Sequence, residues 1–199
     1  MIVIGLTGSI GMGKSTTAKL FADEGIPVND ADQVVHDLYA GAAVAGVAAE
    51  FPEAVVAGVV DRQILARALA KNPANFRILE AIIHPLVRDR ERQFVEMHRA
   101  KHTAIVLLDI PLLFEVGAQD RVDVIVVVTC DAAIQRQRVM ARPGMTEEKF
   151  ALILARQMPD AEKRHRADFI IDTSHGIDSA RREVKTILQQ LSQRRPEIH

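Results

Sequence analysis

A glycine-rich segment near the start of the chain limits the fold more than any other feature of the sequence. Residues 8–15 read GSIGMGKS and fit the pattern G-x-x-x-x-G-K-[ST] at every defined position. An apolar run precedes the segment and an amphipathic stretch, Ser15–Ala22, follows it, so the loop joins a predicted strand to a predicted helix. Glycines in such loops let backbone N–H groups point inward at phosphate oxygens. The sequence therefore predicts a P-loop core that binds a nucleoside triphosphate.

Short runs rich in β-branched residues recur along the chain. They are Ile2–Ile4, Ile26–Val28, Ile105–Leu108, Val122–Thr129 and Phe169–Ile171. These runs are continuously apolar rather than alternating, which is typical of strands buried on both faces of a parallel sheet. Amphipathic stretches separate them, namely Ser15–Ala22, Leu86–Lys101, Ala132–Met140, Glu147–Met158 and Ser179–Leu191. We expect an α/β fold with a five-stranded parallel sheet flanked by helices.

Two intervals between the predicted strands are longer than simple connections require. Residues 31–103 far exceed a crossover, and because their pattern is helical throughout we predict a helical insertion. Residues 135–166 contain Pro143 and Gly144 between two helical stretches, with Thr146 as a predicted N-cap, which indicates a small helical lid. The remaining parts, about 1–30, 104–134 and 167–199, would form the core of a single domain.

Charge and cysteine content exclude several functional classes. The 199 residues include 25 basic and 26 acidic ones, for a formal net charge of −1. A nucleic-acid or anionic-membrane binder usually carries a basic excess, so neither partner is expected. Cys130 is the single cysteine, which rules out an internal disulfide and a thiolate-rich metal site. We therefore expect a reducing, cytoplasmic setting.

Among nucleotide-binding proteins, the sequence favours a kinase of small metabolites. Regulatory GTPases need D-x-x-G and N-K-x-D elements, and the sequence contains neither string. Phosphoryl transfer needs an acceptor pocket and exclusion of water, which a helical insertion and a lid can supply. A nucleoside, nucleotide or shikimate-type kinase is the alternative within this class, and a non-enzymatic nucleotide switch is the alternative outside it.

Several charged residues are candidates for the chemistry. Lys14 can reach the β- and γ-phosphates, and the Ser15 hydroxyl can ligate Mg²⁺. Asp109 ends an apolar run, where P-loop proteins often have an acid near Mg²⁺ or its waters. Arg138 and Arg142 are four residues apart, so on one helix they would share a face and could clamp the transferred phosphate.

Two aspartates follow the second apolar run. Either Asp30 or Asp32 could cap the helix that begins there. Asp32 could instead accept the proton of an attacking hydroxyl. Beside a P-loop we favour this role for Asp32 and a supporting role for Asp30, and the role of His36 stays open.

The combination of motifs resembles that of the dephospho-coenzyme A kinase family. The matching segments are GLTGSIGMGKST, NDADQVVHDL, GVVDRQILA, LEAIIHPLV, DIPLLFE, QRQRVMAR and ADFIIDTSHG. They occur in order from Gly5 to about Gly176. The resemblance implies transfer of the ATP γ-phosphate to the ribose 3'-hydroxyl of dephospho-CoA, the last step of coenzyme A synthesis, with Mg²⁺ as cofactor. Its implied partners are therefore ATP and dephospho-CoA.

The resemblance also implies roles for individual residues. Catalytic roles fall to Asp32 as general base and to Lys14 and Arg138 as groups that stabilise the phosphates. Implied ATP contacts are Gly11, Met12, Gly13, Lys14, Ser15, Thr16 and Arg142. Implied acceptor contacts are Asp32, His84, Leu113, Phe114 and Glu115. The implied metal ligand is Ser15, with Asp109 acting through water.

Alternatives remain for part of this set. His84 could instead cap a helix or pack before Pro85, and Phe114 and Glu115 could simply turn the chain after a strand. Thr173 stands where family members often have Asn, so an adenine contact at this position is expected from the backbone rather than the side chain.

Overall fold

Strands alternate with helices along the chain, as the computed structural model of residues Met1–Gln193 shows. The strands are β1 (Ile2–Thr7), β2 (Val28–Asp30), β3 (Val55–Val56), β4 (Val59–Val60), β5 (Ile105–Asp109), β6 (Val124–Thr129) and β7 (Phe169–Asp172). The helices are α1 (Lys14–Asp23), α2 (Ala31–Tyr39), α3 (Val44–Glu50), α4 (Arg62–Lys71), α5 (Ala74–Ala100), α6 (Ala132–Met140), α7 (Glu147–Ala155), α8 (Asp160–His165) and α9 (Ile177–Gln193). The α/β class predicted from the sequence is confirmed.

The main sheet has five strands with β1 at its centre. Its order is β2-β5-β1-β6-β7. β1 pairs in parallel with β5 and with β6, and β6 pairs in parallel with β7. Ile4, Leu107 and Val126 on these strands are fully buried, as expected for continuously apolar strands covered on both faces. The predicted five-stranded parallel sheet is confirmed.

The described chain divides into two compact units. The first unit contains Met1–Val28 together with the chain from Lys101 onward, and the second unit is Asn29–Ala100. The core of the first unit includes the buried side chains of Ile4, Phe21, Leu107, Val126, Ile171 and Val184. The core of the second unit includes those of Leu38, Val47, Phe51, Leu65, Ala68 and Ile83. Each unit thus buries an apolar core of its own.

The second unit contains a small hairpin, so the expectation that it would be entirely helical is wrong. β3 and β4 pair in antiparallel fashion, with Val55 opposite Val60 and Val56 opposite Val59. The two turn residues, Ala57 and Gly58, have positive φ angles of 51° and 81°, as the tight primed turns of two-residue hairpins require. Strands of two residues are too short to produce a periodic sequence signal.

Two element boundaries near the second unit differ from those predicted from the sequence. β2 is Val28–Asp30, two residues later than the apolar run Ile26–Val28. α5 begins at Ala74 rather than Leu86, because the helix continues through Pro85. Proline disfavours a helix interior, which is why the sequence suggested a start after it. None of the helices within residues 1–193 has an apolar stretch long enough to cross a membrane.

The region between β6 and β7 contains three helices rather than two. Thr146 caps α7 as predicted, since its side chain accepts a hydrogen bond from Lys149 N–H. The predicted single helix Glu147–Met158 instead ends at Ala155, and α8 starts at Asp160. Pro159 explains the break, because the residue that precedes a proline is disfavoured in helical conformation.

Candidate active site

The loop between β1 and α1 has the backbone of an anion-binding site. Gly11 and Gly13 have positive φ angles of 79° and 94°, which residues with a side chain rarely adopt. Gly13 is the N-cap of α1 and offers no side-chain acceptor to the first turn. The first-turn N–H groups of a helix have no intrahelical partner, so those of α1 are left for an anion. Ser15 and Thr16, in this turn, have exposed side chains.

Two glutamines hold the backbone of this loop at Ile10. Ile10 N–H donates to Gln157 Oε1 at 3.1 Å, and Gln135 Nε2 donates to the Ile10 carbonyl at 2.8 Å. Gln135 lies on α6 and is buried, whereas Gln157 follows α7. Neither residue could be identified from the sequence, because a single glutamine on or beside an amphipathic helix matches no motif. They tie the P-loop to the segment between β6 and β7.

Lys14 and Asp109 form an ion pair beside the P-loop. Lys14 Nζ lies 2.5 Å from Asp109 Oδ1, and the two side chains are 13% and 3% exposed. β1 and β5 bring the two residues together, since Asp109 is opposite Leu6 in the register of the sheet and the P-loop follows β1. The residues expected to bind phosphate and to assist Mg²⁺ are therefore direct neighbours.

Arg138 lies against the P-loop and the segment after β7. Its Nη1 donates to Thr173 Oγ1 at 2.8 Å and to the Gly11 carbonyl at 3.5 Å. Its Nη2 donates to the Thr173 carbonyl at 2.9 Å. The structure thus brings Arg138 to the nucleotide loop, and Thr173 is turned toward this guanidinium rather than toward solvent.

Arg142 does not share a helix face with Arg138, contrary to the expectation from their spacing. α6 ends at Met140, and Arg142 follows the C-cap. Its side chain is exposed and forms no hydrogen bond or ion pair with residues 1–193. The four-residue rule holds only within a continuous helix, and Pro143 follows too closely for α6 to continue.

Asp30, and not Asp32, is the N-cap of α2. Asp30 Oδ1 accepts hydrogen bonds from Asp32 N–H at 2.9 Å and from Gln33 N–H at 3.2 Å. The carboxylate of Asp32 is exposed and forms no hydrogen bond or ion pair within the described chain. Because one aspartate satisfies the helix end, the other is left for a different role.

His84 lies in the middle of α5 with an exposed side chain. It does not cap the helix, because α5 begins at Ala74. It does not pack in a core either, since its side chain is exposed. The structure thus supports neither a capping nor a packing role for His84, and its binding role stays a prediction. His36, in the last turn of α2, is also exposed.

Leu113, Phe114 and Glu115 point into the first unit. Leu113 is fully buried and Phe114 is 6% exposed. Glu115 Oε1 accepts a hydrogen bond from Met158 N–H at 2.8 Å and lies 2.9 Å from the ammonium of Lys163, which is fully buried. Burial alone would raise the pKa of Glu115, but the nearby Lys163 ammonium and the hydrogen bond from Met158 N–H outweigh it, so the pKa is lowered. This segment is anchored to the turn before α8.

Lys163 is a further residue of this region that the sequence does not reveal. A lysine is almost never fully buried unless it is paired, and the Lys163 ammonium lies 2.9 Å from Glu115 Oε1, so the two form an ion pair. In the sequence Lys163 stands among charged residues of α8, and no local pattern marks it as buried.

Cys130 is buried under the P-loop. Its Sγ lies 3.4 Å from Met12 Sδ and 3.9 Å from the Gly11 carbonyl oxygen. Burial raises the pKa of the thiol. The thiol is therefore neutral and packed, which agrees with a structural rather than a catalytic role.

Comparisons with known proteins match nearly the whole chain. Residues 2–179 match the family model described as dephospho-CoA kinase, CoaE. A curated protein named dephospho-CoA kinase from Agrobacterium fabrum (strain C58 / ATCC 33970) is 63% identical over 191 residues, covering 96% of this chain and 98% of the relative. One of the same name from Rhizobium etli (strain ATCC 51251 / DSM 11541 / JCM 21823 / NBRC 15573 / CFN 42) is 60% identical over 194 residues, covering 98% and 96%.

A solved structure agrees with the sequence comparisons. The crystal structure of TT1252 from Thermus thermophilus superposes with a TM-score of 0.79 at 37% identity. The match covers 96% of this chain and 97% of that one. The similarity therefore extends over both units and is not confined to the P-loop.

Proposed function

The chain belongs to the dephospho-CoA kinase family, and from this premise we propose how its residues transfer the γ-phosphoryl group of ATP to the ribose 3'-hydroxyl of dephospho-CoA, giving CoA and ADP. The observation that carries the proposal is the cluster around the P-loop. Lys14 and Arg138 both lie at this loop, and the first-turn N–H groups of α1 are uncapped by any side chain.

ATP binds through the P-loop. The backbone of Gly11, Met12 and Gly13 and the first turn of α1 from Lys14 to Thr16 surround the phosphates, and the Lys14 ammonium neutralises their charge. The ion pair with Asp109 supports this assignment, because it holds the ammonium beside the loop. Arg142 is exposed beyond the C-cap of α6, and its ATP contact is proposed on the family resemblance.

Arg138 stabilises the group in transfer. Phosphoryl transfer depends on positioning and on neutralising charge that is spread over the equatorial oxygens. A guanidinium with some of its N–H groups already fixed by the protein suits this task. No covalent intermediate on the protein is needed, which agrees with the buried, neutral thiol of Cys130.

Asp32 acts as the general base toward the 3'-hydroxyl. This proposal is supported by the hydrogen bonds at the start of α2. Asp30 caps the helix, and the exposed carboxylate of Asp32 forms no hydrogen bond or ion pair with the described residues. Asp32 also follows the carboxyl end of β2, and open α/β sheets bind their ligands beyond the carboxyl ends of the strands.

We propose two kinds of role in acceptor binding: direct contact with dephospho-CoA, and support of the residues around it. His84, exposed on α5, is the residue that we propose to contact dephospho-CoA. Leu113 and Phe114 are buried, and Glu115 pairs with Lys163. We propose that these three residues support the acceptor site through packing and the ion pair, and that they make no direct polar contact with dephospho-CoA.

Mg²⁺ is the expected cofactor, and the residues present fit it. Within residues 1–193 no group of three or more His, Cys, Asp and Glu side chains forms a metal site. Mg²⁺ in kinases does not require one, since it takes one or two protein oxygens together with phosphate oxygens and water. The Ser15 hydroxyl would be a ligand, and Asp109 would hold its waters. The bound ion would neutralise phosphate charge.

The composition supports action in the cytoplasm on small molecules. A single, buried cysteine suits a reducing compartment. The formal net charge of −1 does not suit an anionic polymer or membrane surface as partner. ATP and dephospho-CoA are the partners that we propose.

An acceptor panel tests the proposal. The purified protein with Mg²⁺ and ATP should form ADP when dephospho-CoA is present, and phosphorus NMR should locate the new phosphate at the 3'-position. A 3'-deoxyribose analogue of dephospho-CoA should bind without turnover. Turnover with a nucleoside monophosphate or shikimate, and none with dephospho-CoA, would contradict the assignment. ADP formation that does not depend on any acceptor would favour a nucleotide switch instead.

A further inference from the structure

Thr173 forms hydrogen bonds with three different parts of the nucleotide site. Its N–H donates to the Thr129 carbonyl at 2.9 Å and thereby continues the pairing of β7 with β6. Its Oγ1 lies 2.8 Å from the Met12 carbonyl oxygen and 2.8 Å from Arg138 Nη1. A hydroxyl has one proton and can accept through its lone pairs. It therefore donates to Met12 in the P-loop and accepts from Arg138.

The backbone of Thr173 completes a two-point attachment of the guanidinium. Arg138 Nη2 donates to the Thr173 carbonyl, while Nη1 donates to the hydroxyl. The third acceptor, the Gly11 carbonyl, is 3.5 Å from Nη1. One N–H of Nη2 and the Nε N–H are not engaged by the described residues, so they remain for a phosphate. The guanidinium is thus oriented by groups of the protein itself.

Thr173 also packs against the last glycine of the P-loop. A Cβ atom at Gly13 would lie 3.1 Å from Thr173 Oγ1 and 3.2 Å from its Cγ2. Thr173 itself is 7% exposed. The same side chain therefore touches the backbone that leads into α1 and the arginine that faces it, which fixes the spacing between them.

Other bonds hold the segment around Thr173 in place without its hydroxyl. Asp172 accepts a hydrogen bond from Ser174 N–H at 2.8 Å, and Ser174 Oγ accepts one from Asp131 N–H at 2.8 Å. Asp172 N–H donates to Glu183 on α9 at 2.9 Å. Removal of the hydroxyl alone should therefore leave the segment folded, so its effect on Arg138 can be measured separately.

We propose that Thr173 is a positioning residue that orients Arg138 relative to the P-loop for phosphoryl transfer. The inference rests on the proposed role of Arg138 at the transferred group. The reason is preorganisation, since a flexible arginine that is already fixed has less conformational freedom to lose when the transition state forms. An adenine contact from the Thr173 side chain is not required.

Four variants test this inference: Thr173→Val, Thr173→Ser, Arg138→Ala and the double variant Thr173→Val/Arg138→Ala. Valine keeps the β-branched shape and removes the hydroxyl, whereas serine keeps the hydroxyl. Thr173→Ala serves as a second hydroxyl-free variant if the valine variant does not fold. Thermal unfolding verifies folding, and steady-state rates give kcat and the KM for ATP.

Thr173→Val should lower kcat about tenfold or more, with a much smaller change in the KM for ATP, because Arg138 acts on the transition state. Thr173→Ser should stay within about threefold of the unsubstituted enzyme. In the Arg138→Ala background the valine substitution should change kcat by less than about twofold, since the group through which it acts is gone.

The results that overturn the inference are distinct from those that overturn the proposed function. Equal losses from Thr173→Val in both backgrounds, or a serine variant as impaired as the valine one, would show that Thr173 does not act through Arg138. Full activity of Thr173→Val would do the same. An unchanged kcat for Arg138→Ala would instead remove the proposed role of Arg138, and this inference with it.

Discussion

The Lys14 ammonium lies 2.5 Å from the Asp109 carboxylate, so the P-loop lysine and the acid at the end of β5 form an ion pair. Both side chains are largely buried. Under the proposed roles, ATP would bring the phosphates for Lys14 and its metal ion the charge for Asp109. We therefore expect nucleotide binding to replace this ion pair with new partners for both residues.

Asp109→Asn should raise the Mg²⁺ concentration that gives half-maximal activity. Asparagine has nearly the same shape but lacks the charge that attracts a hydrated divalent cation, and loss of such an outer partner weakens metal binding about 10- to 100-fold. Initial rates against Mg²⁺ concentration at saturating ATP measure the effect. The control is Asp23→Asn, which removes an acid paired with Arg181 on the surface. An unaltered Mg²⁺ requirement in Asp109→Asn would exclude Asp109 from the metal site.

Asp32→Asn should lower kcat by about 10²- to 10⁴-fold, the usual contribution of general acid–base catalysis. Its affinity for ATP should change little, because the substitution is outside the P-loop. Steady-state kinetics and calorimetric titration with ATP measure the two quantities. Since Asp30 supplies the N-cap of α2, the stability of Asp32→Asn should match that of the unsubstituted protein.

Asp30→Asn is the matched control for Asp32. Asparagine caps helices about as well as aspartate, so this variant should keep both its stability and its turnover. Asp30→Ala should lose about 1 kcal/mol of stability because the cap is removed. If Asp30→Asn lost as much turnover as Asp32→Asn, the assignment of the base to Asp32 alone would be wrong.

Gly11→Ala should destabilise the protein more than Gly58→Ala and should also impair ATP binding. Both glycines have positive φ angles, so each substitution costs about 1–2 kcal/mol of backbone strain. A Cβ atom at Gly11 would also lie 2.5 Å from Val139 Cγ2 and 3.0 Å from the Gln135 carbonyl oxygen, whereas one at Gly58 meets nothing within 4 Å. Urea unfolding and ATP titration compare the variants. Equal losses of stability would contradict the steric account.

Glu115→Gln should remove a stabilising contribution that depends on pH. The folded state lowers the pKa of Glu115 below its ordinary value of 4.5, so the ionised carboxylate stabilises the fold above that pH. The contribution is lost as the pH falls through the lower pKa of the folded state. The difference in unfolding free energy between the unsubstituted protein and the variant should therefore be largest near neutral pH and shrink below about pH 4.

Urea unfolding over a series of pH values measures this difference. Glu96→Gln, which changes an exposed glutamate on α5, is the control and should show little dependence. A Glu115→Gln difference that is constant across the acid range would mean that the ion pair with Lys163 does not stabilise the folded state.

Local chemistry could be predicted from the sequence, and long-range pairing could not. The P-loop from Gly8 to Ser15 is contiguous, so its glycines and its lysine identified it and fixed the strand and the helix on either side. Asp109 was found because it ends a buried strand. In contrast, Lys163 pairs with Glu115 across a large separation in sequence, and nothing in α8 distinguishes it from its charged neighbours.

The remaining errors have physical causes as well. Helical spacing suggested a shared face for Arg138 and Arg142, but α6 ends between them. Pro85 suggested a helix start that tertiary packing overrode, since α5 continues through it. The choice between Asp30 and Asp32 as cap required the hydrogen bonds themselves, because both residues are suitable caps by type.

The single thiol of the chain packs against the P-loop, so its reactivity can report local opening of this loop. Cys130 is 8% exposed and contacts Met12 and Gly11, and reagents reach it only when this layer separates. Its alkylation rate in native buffer should therefore follow the opening equilibrium of the P-loop. Saturating ATP should slow the reaction, while a peptide thiol added as reference should react at an unchanged rate. The alkylation rate of Cys130 thus measures nucleotide binding, although this sulfur atom takes no part in the proposed chemistry.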